Sequence, residues 1–202
     1  MNINKPIILA SGSPRRLEII KAHGIEPIVH PADIEETAPE YSDITEVPSS
    51  IALKKASAVY AQTGLKDGII IGADTIVYLG DPDKHGEIMG KPLDHEDGFR
   101  MLSSLRNRTH YVITGVCLID IATGTERVFS ETTAVTFGDY SDEELDAYLD
   151  TPEAYDKAGG YAIQGTFGKY VTSTDGSYDN VVGFPWERIE KEIIKMQEVL
   201  SS

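Results

Sequence analysis

Two adjacent arginines follow a short apolar segment near the start of the chain. The sequence Ser11-Gly12-Ser13-Pro14-Arg15-Arg16 comes directly after the apolar run 6–10. A small-residue loop that leads from a strand into a helix presents free backbone N–H groups and the positive end of a helix dipole. Guanidinium groups add forked donors that match phosphate oxygens, although arginine in a first helical turn opposes the dipole. The pattern predicts an anion site that uses Ser11, Ser13, Arg15 and Arg16, with surface ion pairs to acidic residues as the alternative.

Asp74 ends an apolar run that is typical of a buried strand. It stands in Gly72-Ala73-Asp74-Thr75, directly after the three isoleucines 69–71. A carboxylate at a buried strand end is costly unless it is paired, hydrated or bound to a metal. Such a carboxylate can hold Mg²⁺ or orient an attacking water. The alternative is a turn aspartate that caps the local backbone.

Three further charged residues are candidates for the same site. Glu36 ends the acidic cluster 33–36, and most such clusters are simply solvated. Lys55 and Lys91 could each be a surface lysine, or they could join the arginine pair in binding a triphosphate. The five histidines lack metal-ligand spacing, so no metal role is assigned to them.

In the stretch 156–165, glycines bracket an apolar segment, which suggests that the backbone closely approaches another group. Within it, Gln164 could read the edge of a base, or it could be a satisfied core amide. The later stretch 176–185 is typical of a loop, a short strand and a helix start.

Composition limits the classes of function. The 202 residues carry a net charge of −15, which disfavours a nucleic-acid polymer as a partner. Apolar residues make up 41% of the chain, but no run is long enough to span a bilayer. Cys117 is the lone cysteine, so an internal disulfide framework is excluded. We therefore expect a cytoplasmic protein that forms a single domain over residues 1–202, without a membrane partner.

Helical and strand patterns are interspersed along the chain. Strands are predicted over 6–10 and 68–79, with 87–89 pairing back after a turn at 80–83, and 111–137 is predicted to form a β-hairpin. Helices are predicted over 15–23, 47–62, 94–105 and about 185–200, and a capping box at 141–144 begins another. Because the alternation is not strictly βαβ, we predict an α/β fold with a mixed sheet and flanking helices.

These motifs, in this order, resemble the Maf family of nucleotide pyrophosphatases. Each motif is weak alone, but the ordered set is specific and spans nearly the whole chain. The matching segments lie at 9–16, 34–36, 54–56, 72–75, 90–92, 114–116, 156–159, 163–165 and 176–185.

The resemblance implies a mixed α/β fold with two lobes around a deep cleft. It also implies an enzyme that uses Mg²⁺ or Mn²⁺, attacks the α-phosphorus and releases pyrophosphate. By motif position, Asp74 is the expected catalytic carboxylate, and Arg15, Thr75 and Gln164 are expected to set specificity. The glutamine at 164 resembles the branch that acts on dTTP and UTP, whereas a sister branch carries glutamate there and acts on 7-methyl-GTP.

The residue patterns and the family resemblance together predict one site. Glu36 and Asp74 hold the divalent cation and orient the water, while Ser11, Ser13, Arg15, Arg16, Lys55 and Lys91 bind the phosphates. The expected role is to clear non-standard or surplus nucleotides. A nucleotide-binding regulator of septum formation without turnover is the alternative, and a homodimer is left open.

Two departures from the family pattern stand out. The stretch 80–87 is longer than expected, and Phe184 replaces the usual leucine. Neither departure involves a residue of the expected chemistry.

Overall fold

The computed structural model describes residues 3–37, 40–41, 43–82 and 86–199. The strands are β1 Ile7–Leu9, β2 Ile28–Val29, β3 Ile69–Leu79, β4 Glu87–Met89, β5 Thr109–Asp120, β6 Glu126–Phe137 and β7 Val171–Asp175. The α-helices are α1 Pro14–Ala22, α2 Glu46–Gln62, α3 His95–Leu105, α4 Asp142–Leu149, α5 Tyr178–Val182 and α6 Trp186–Val199. Short 3₁₀ helices cover Pro152–Ala154, Ala158–Gly160 and Thr166–Tyr170.

The strands form one mixed sheet. Its order is β2-β1-β3-β5-β6-β7, and β4 pairs with β3 outside this path. β1 runs parallel to β2 and β3, whereas β4 is antiparallel to β3 and β7 is antiparallel to β6. The predicted mixed sheet with flanking helices is confirmed, and the two lobes around a cleft stay a prediction.

Several element boundaries follow from local sequence signals. α1 begins with Pro14 after the N-cap Ser13, and Gly24 follows its end with a φ of 77°. The predicted capping box begins α4, because the Ser141 hydroxyl accepts from the Glu144 N–H while the Glu144 carboxylate accepts from the Ser141 N–H. The predicted hairpin is present as β5 and β6.

Other elements differ from the prediction. The stretch 176–185 holds the helix α5 where a short strand was expected, so that prediction is wrong. β2 and β7 were not predicted, because β2 has only two residues and β7 reads Val-Thr-Ser-Thr-Asp without apolar alternation. Asp83, at the end of the predicted turn 80–83, and part of the long stretch 80–87 lie outside the described residues.

The chain divides into two units, and the boundary falls within β3, β5 and β6. The single domain over 1–202 therefore stays a prediction. The first unit comprises Met1–Asp74, Thr114–Glu131 and Gly183–Ser202, and one of its apolar clusters contains Ile8, Ala52, Ile70 and Cys117.

The second unit comprises Thr75–Ile113 and Thr132–Val182. Its core is rich in aromatic rings, with Phe137, Tyr140, Tyr148, Tyr161 and Phe167 all buried. Within the described part of the chain, none of the helices has the length and apolar character needed to cross a membrane.

Candidate active site

Parallel pairing of β1 with β3 brings the two predicted motifs of the first unit to one edge of the sheet. Leu9 is in register with Ile71, and the Ala10 N–H donates to the Ile71 carbonyl at 2.9 Å. The loop after β1 therefore emerges beside the part of β3 that leads to Asp74. This place is at the carboxyl end of β1, whereas β3 continues to Leu79. Asp74 therefore lies in the middle of β3, and its predicted position at a strand end is wrong.

Arg16 ties this edge together from a buried position. Its Nη1 donates to the Ser11 hydroxyl at 3.0 Å and to the Ala73 carbonyl at 2.9 Å, and its Nε donates to the Gly183 carbonyl at 2.9 Å. Only 9% of Arg16 is exposed, and burial lowers the pKa of its guanidinium, while the charge of Asp74 opposes that shift. For Arg16, the alternative of a surface residue paired with acidic residues is therefore wrong.

Two of these acceptors could not be identified from the sequence. Backbone carbonyls carry no residue signature, so the roles of Ala73 and Gly183 were missed. The available signal was the glycine itself, because Gly183 has a φ of 103°, a region that favours glycine.

The start of α1 presents the other half of the arginine pair. Arg15 lies in the first turn and is half-buried, whereas Arg16 is buried. Ser13 is the N-cap residue, and its own N–H donates to the Ser11 hydroxyl at 3.2 Å. Its side chain makes no capping hydrogen bond within the described structure, so the first turn of α1 is not capped by serine. Backbone N–H groups at such an end are suited to an anion.

Lys55 lies between the two predicted carboxylates. Its Nζ is 2.8 Å from Asp74 Oδ1 and 2.7 Å from Glu36 Oε1. Lys55 and Asp74 are 7% and 9% exposed, whereas the Glu36 side chain is 54% exposed. The three side chains together carry one net negative charge. The sequence predicted each residue, but not that the ammonium would join the two carboxylates.

Two glycines allow α2 to deliver Lys55 to this place. A Cβ at Gly72 of β3 would lie 2.3 Å from the Ala52 carbonyl oxygen of α2. A Cβ at Gly115 of β5 would lie 2.2 Å from the Ser49 nitrogen of the same helix. The helix therefore packs directly on strand backbone. This close approach explains why Lys55, one turn along α2, reaches Asp74 on β3.

The remaining predicted site residues belong to the second unit. Thr75 is half-buried in β3, Lys91 is exposed after β4, and Gln164 is exposed between two 3₁₀ helices. The alternative of a core amide for Gln164 is therefore wrong. The structure brings together Ser11, Arg16, Glu36, Lys55 and Asp74, and the roles of Thr75, Lys91 and Gln164 stay predictions.

The carboxylates suit a cation that is shared with a ligand. Within the described ranges, no group of three or more histidine, cysteine or acidic side chains forms a metal cage. Asp74 and Glu36 provide two hard oxygen ligands, the number with which proteins typically hold Mg²⁺ together with waters and substrate phosphates. The donor set therefore fits a divalent cation that binds with a phosphate ester.

Comparison with known proteins points in the same direction. A family model described as Maf-like protein matches residues 6–196. A dTTP/UTP pyrophosphatase of Phocaeicola vulgatus is 45% identical over 192 residues, which cover 94% of this chain and 95% of that protein. Proteins of the same name from Desulforamulus reducens and Ruminiclostridium cellulolyticum are 40% and 39% identical, over 92% and 95% of this chain and 93% and 96% of those proteins. The chain therefore belongs to the Maf-like protein family.

Proposed function

We propose that this protein hydrolyses dTTP and UTP to the monophosphate and pyrophosphate. One observation of the structure carries the proposal: Lys55 joins Asp74 and Glu36 in the first unit. Arg16 in the same unit links Ser11 and Ala73, the residue before Asp74. The first unit thus provides both the carboxylates and the positively charged groups that phosphoryl chemistry needs. The names of the relatives support the choice of substrate and reaction.

Asp74 and Glu36 are the residues that would hold Mg²⁺ or Mn²⁺. When bound, the cation would supply charge neutralisation on the phosphates and acidify a bound water. The requirement for a divalent cation is part of the proposal, and the oxygen-only donor pair supports it.

The other residues of the site bind, orient and move protons. The Asp74 carboxylate orients the attacking water and accepts its proton as the oxygen–phosphorus bond forms at the α-phosphorus. Lys55 and Arg15 donate to phosphate oxygens and stabilise the charge that develops on the departing pyrophosphate. Lys91 and the serines Ser11 and Ser13 extend the same donor set.

Arg16 takes a different part in this proposal. Because its donors already bind Ser11 and two backbone carbonyls, it holds the loop before α1 in place. Its positive charge acts on the phosphates from behind that loop. Retention of the loop, rather than direct contact alone, is how we expect Arg16 to contribute.

Pyrimidine recognition is assigned to Gln164, with Arg15 and Thr75 as further selectivity residues. Uracil and thymine present acceptor, donor and acceptor groups at O4, N3–H and O2. A glutamine amide can accept from N3–H and donate to one carbonyl. The exposed position of Gln164 makes its amide accessible to a ligand.

Product analysis in water enriched in oxygen-18 tests the proposal. The protein is incubated with UTP, dTTP, CTP, GTP or 7-methyl-GTP and Mg²⁺, and products are separated by chromatography and weighed by mass spectrometry. We expect UMP and dTMP to carry the label, with unlabelled pyrophosphate. Diphosphate plus labelled phosphate would instead indicate cleavage at the γ-phosphorus, and binding without products would indicate a regulator. The predicted cytoplasmic location is tested separately by cell fractionation.

A further inference from the structure

The backbone on both sides of Gln164 is tightly folded. The Gly165 N–H donates to the Ala162 carbonyl at 3.0 Å, which closes a turn with Gln164 inside it. The Gly168 N–H then donates to the Gly165 carbonyl at 3.1 Å. A Cβ at Gly168 would lie 2.0 Å from the Ile163 carbonyl oxygen, so the two ends of this segment are in backbone contact. Gln164 is thus an exposed side chain on a constrained backbone.

Glu153 braces this segment from a different element. It lies in the 3₁₀ helix Pro152–Ala154 and is half-buried. Its Oε1 accepts from the Thr166 N–H at 2.9 Å, and its Oε2 accepts from the Thr166 hydroxyl at 2.8 Å. Both carboxylate oxygens are therefore used on one residue, two positions after Gln164.

Gly165 makes room for this carboxylate. A Cβ at position 165 would lie 1.8 Å from Glu153 Oε1, a distance that no side chain can accommodate without displacing the carboxylate. The residue directly after Gln164 is therefore packed against Glu153. The glycine that the sequence motif contains is explained by this contact.

Glu153 is itself firmly anchored within the second unit. Its N–H donates to the Thr151 hydroxyl at 3.3 Å, and its carbonyl accepts from Lys157 Nζ at 2.6 Å. The next residue, Ala154, is fully buried in the aromatic core. The Glu153 carboxylate therefore links the Gln164 turn to the core of the second unit.

A second anchor lies just before the turn. The Tyr161 hydroxyl and His110 Nε2 are 2.6 Å apart, and both residues are buried. The Gln164 turn is thus held at one end by a buried ring and at the other end by Glu153. Since the Tyr161–His110 anchor is in the core, Glu153 is the anchor that can be altered with less effect on folding.

We propose that Glu153 is a positioning residue that sets the selectivity for uracil over cytosine by fixing the turn that carries Gln164. This inference rests on the proposed function, in which Gln164 reads the base. An amide discriminates between N3–H of uracil and the bare N3 of cytosine only if its orientation is fixed to within about 10–20°. A looser turn lets the amide rotate and accept either pattern.

The test compares kcat/KM for UTP and CTP in a set of variants. Glu153→Ala is expected to lower the UTP-over-CTP ratio at least fivefold, mainly through a higher KM for UTP. Thr166→Val loses the hydroxyl but keeps the N–H, and should lower the ratio about two- to threefold. Thr166→Ser keeps both donors and should leave the ratio unchanged. Glu96→Gln, at an exposed glutamate in the first turn of α3, is the matched control.

A double variant distinguishes positioning from a general structural effect. If Glu153 acts through Gln164, adding Glu153→Ala to Gln164→Ala should not change the ratio further. An equal loss of kcat for UTP and CTP with an unchanged ratio would overturn the inference. Glu153→Gln and Thr166→Val keep the test decisive if Glu153→Ala does not fold.

Failure of the inference can be told apart from failure of the proposed function. If Gln164→Ala changes the ratio and Glu153→Ala does not, only the positioning role is overturned. If Gln164→Ala leaves the ratio unchanged, the base-reading role fails and the positioning role falls with it. If the wild type releases no pyrophosphate, the proposed reaction itself is wrong, and Glu153 has no selectivity to set.

Discussion

The two units hold their candidate functional side chains in opposite ways. In the first, Arg16, Lys55 and Asp74 are at most 9% exposed, and each charge contacts another charge or a polar group. In the second, the Gln164 side chain is exposed and only the backbone around it is fixed. Burying a charge requires a partner already in place, whereas a neutral amide needs only a fixed orientation. Substitutions of the buried charges in the first unit should therefore affect both stability and turnover, and substitutions at the Gln164 turn should affect selectivity.

Removal of divalent cations should have the largest effect. Lys55 neutralises only one of its two carboxylate partners, so the substrate phosphates would add charge to a site that is already negative. We expect no measurable turnover in excess chelator, with recovery on addition of Mg²⁺ or Mn²⁺. A non-hydrolysable UTP analogue should raise the midpoint temperature of thermal unfolding only when the metal is present. Full activity after metal stripping would contradict the metal requirement.

Asp74→Asn should be the most damaging single substitution for turnover. The amide keeps the shape of the side chain but loses the charge that binds a cation and accepts a proton. We expect kcat to fall by about 10³ or more, the scale on which groups of the catalytic site commonly act. Binding of the UTP analogue should remain measurable by calorimetry. Asp67→Asn, at a carboxylate that is 55% exposed and paired with Lys5, is the matched control.

The arginine pair should separate into a stability effect and an activity effect. Arg16→Ala removes the hydrogen bonds from the guanidinium to the Ala73 and Gly183 carbonyls, and a hydrogen bond to a charged group contributes about 1.5–3 kcal/mol. Arg15→Ala, at a half-buried position, should fold normally and lose about 2–4 kcal/mol of transition-state stabilisation. Denaturant unfolding and kcat/KM, measured on both variants, distinguish the two roles. If kcat/KM of Arg15→Ala is within threefold of the wild-type value, Arg15 is a surface residue that does not contribute to the reaction.

The buried histidine of the second unit predicts a pH dependence of stability. Burial lowers the pKa of His110 from 6.5 to about 3, so the ring is neutral in the folded protein. Its contribution is present above the unfolded pKa of about 6.5 and is lost as the pH falls from there toward 3, because the unfolded chain then binds the proton more tightly. The loss is on the order of 5 kcal/mol at the acid end.

His110→Gln provides the comparison for this pH effect. The amide does not titrate in this range and can still bond to the Tyr161 hydroxyl. Denaturant unfolding between pH 7 and pH 4 should show a smaller loss of stability in the variant than in the wild type. Equal slopes would mean that other groups, chiefly the carboxylates, account for the acid sensitivity.

The sequence predicted most of the fold because its local signals are explicit. Pro14 after Ser13, the capping box at Ser141 and the isoleucine run before Asp74 each determine an element with little outside help. β2 and β7 were missed because pairing with neighbours, rather than their own pattern, makes them strands.

The residue types of the candidate site could be predicted from the sequence, but the contacts between those residues could not. Spacing identified Asp74, Lys55 and the arginines as chemically capable, yet their distances depend on how α2 packs on Gly72 and Gly115. Those contacts join residues that are far apart in the chain. Likewise, nothing in the sequence near Glu153 indicates that its carboxylate braces Thr166.

Gln164→Glu should have the smallest effect on rate but the clearest effect on selectivity. A carboxylate can accept from N3–H, but it repels the neighbouring pyrimidine carbonyl because it has no donor. Leaving one polar group without a partner costs about 1–3 kcal/mol, so kcat/KM for UTP and dTTP should fall about tenfold or more. Because the side chain is exposed, the free energy of unfolding should stay within about 0.5 kcal/mol of wild type. Guanine presents two donors, at N1–H and the 2-amino group, so activity on 7-methyl-GTP should rise relative to UTP. Steady-state kinetics on UTP, dTTP, CTP and 7-methyl-GTP test this ranking, and an unchanged ranking would show that Gln164 does not contact the base.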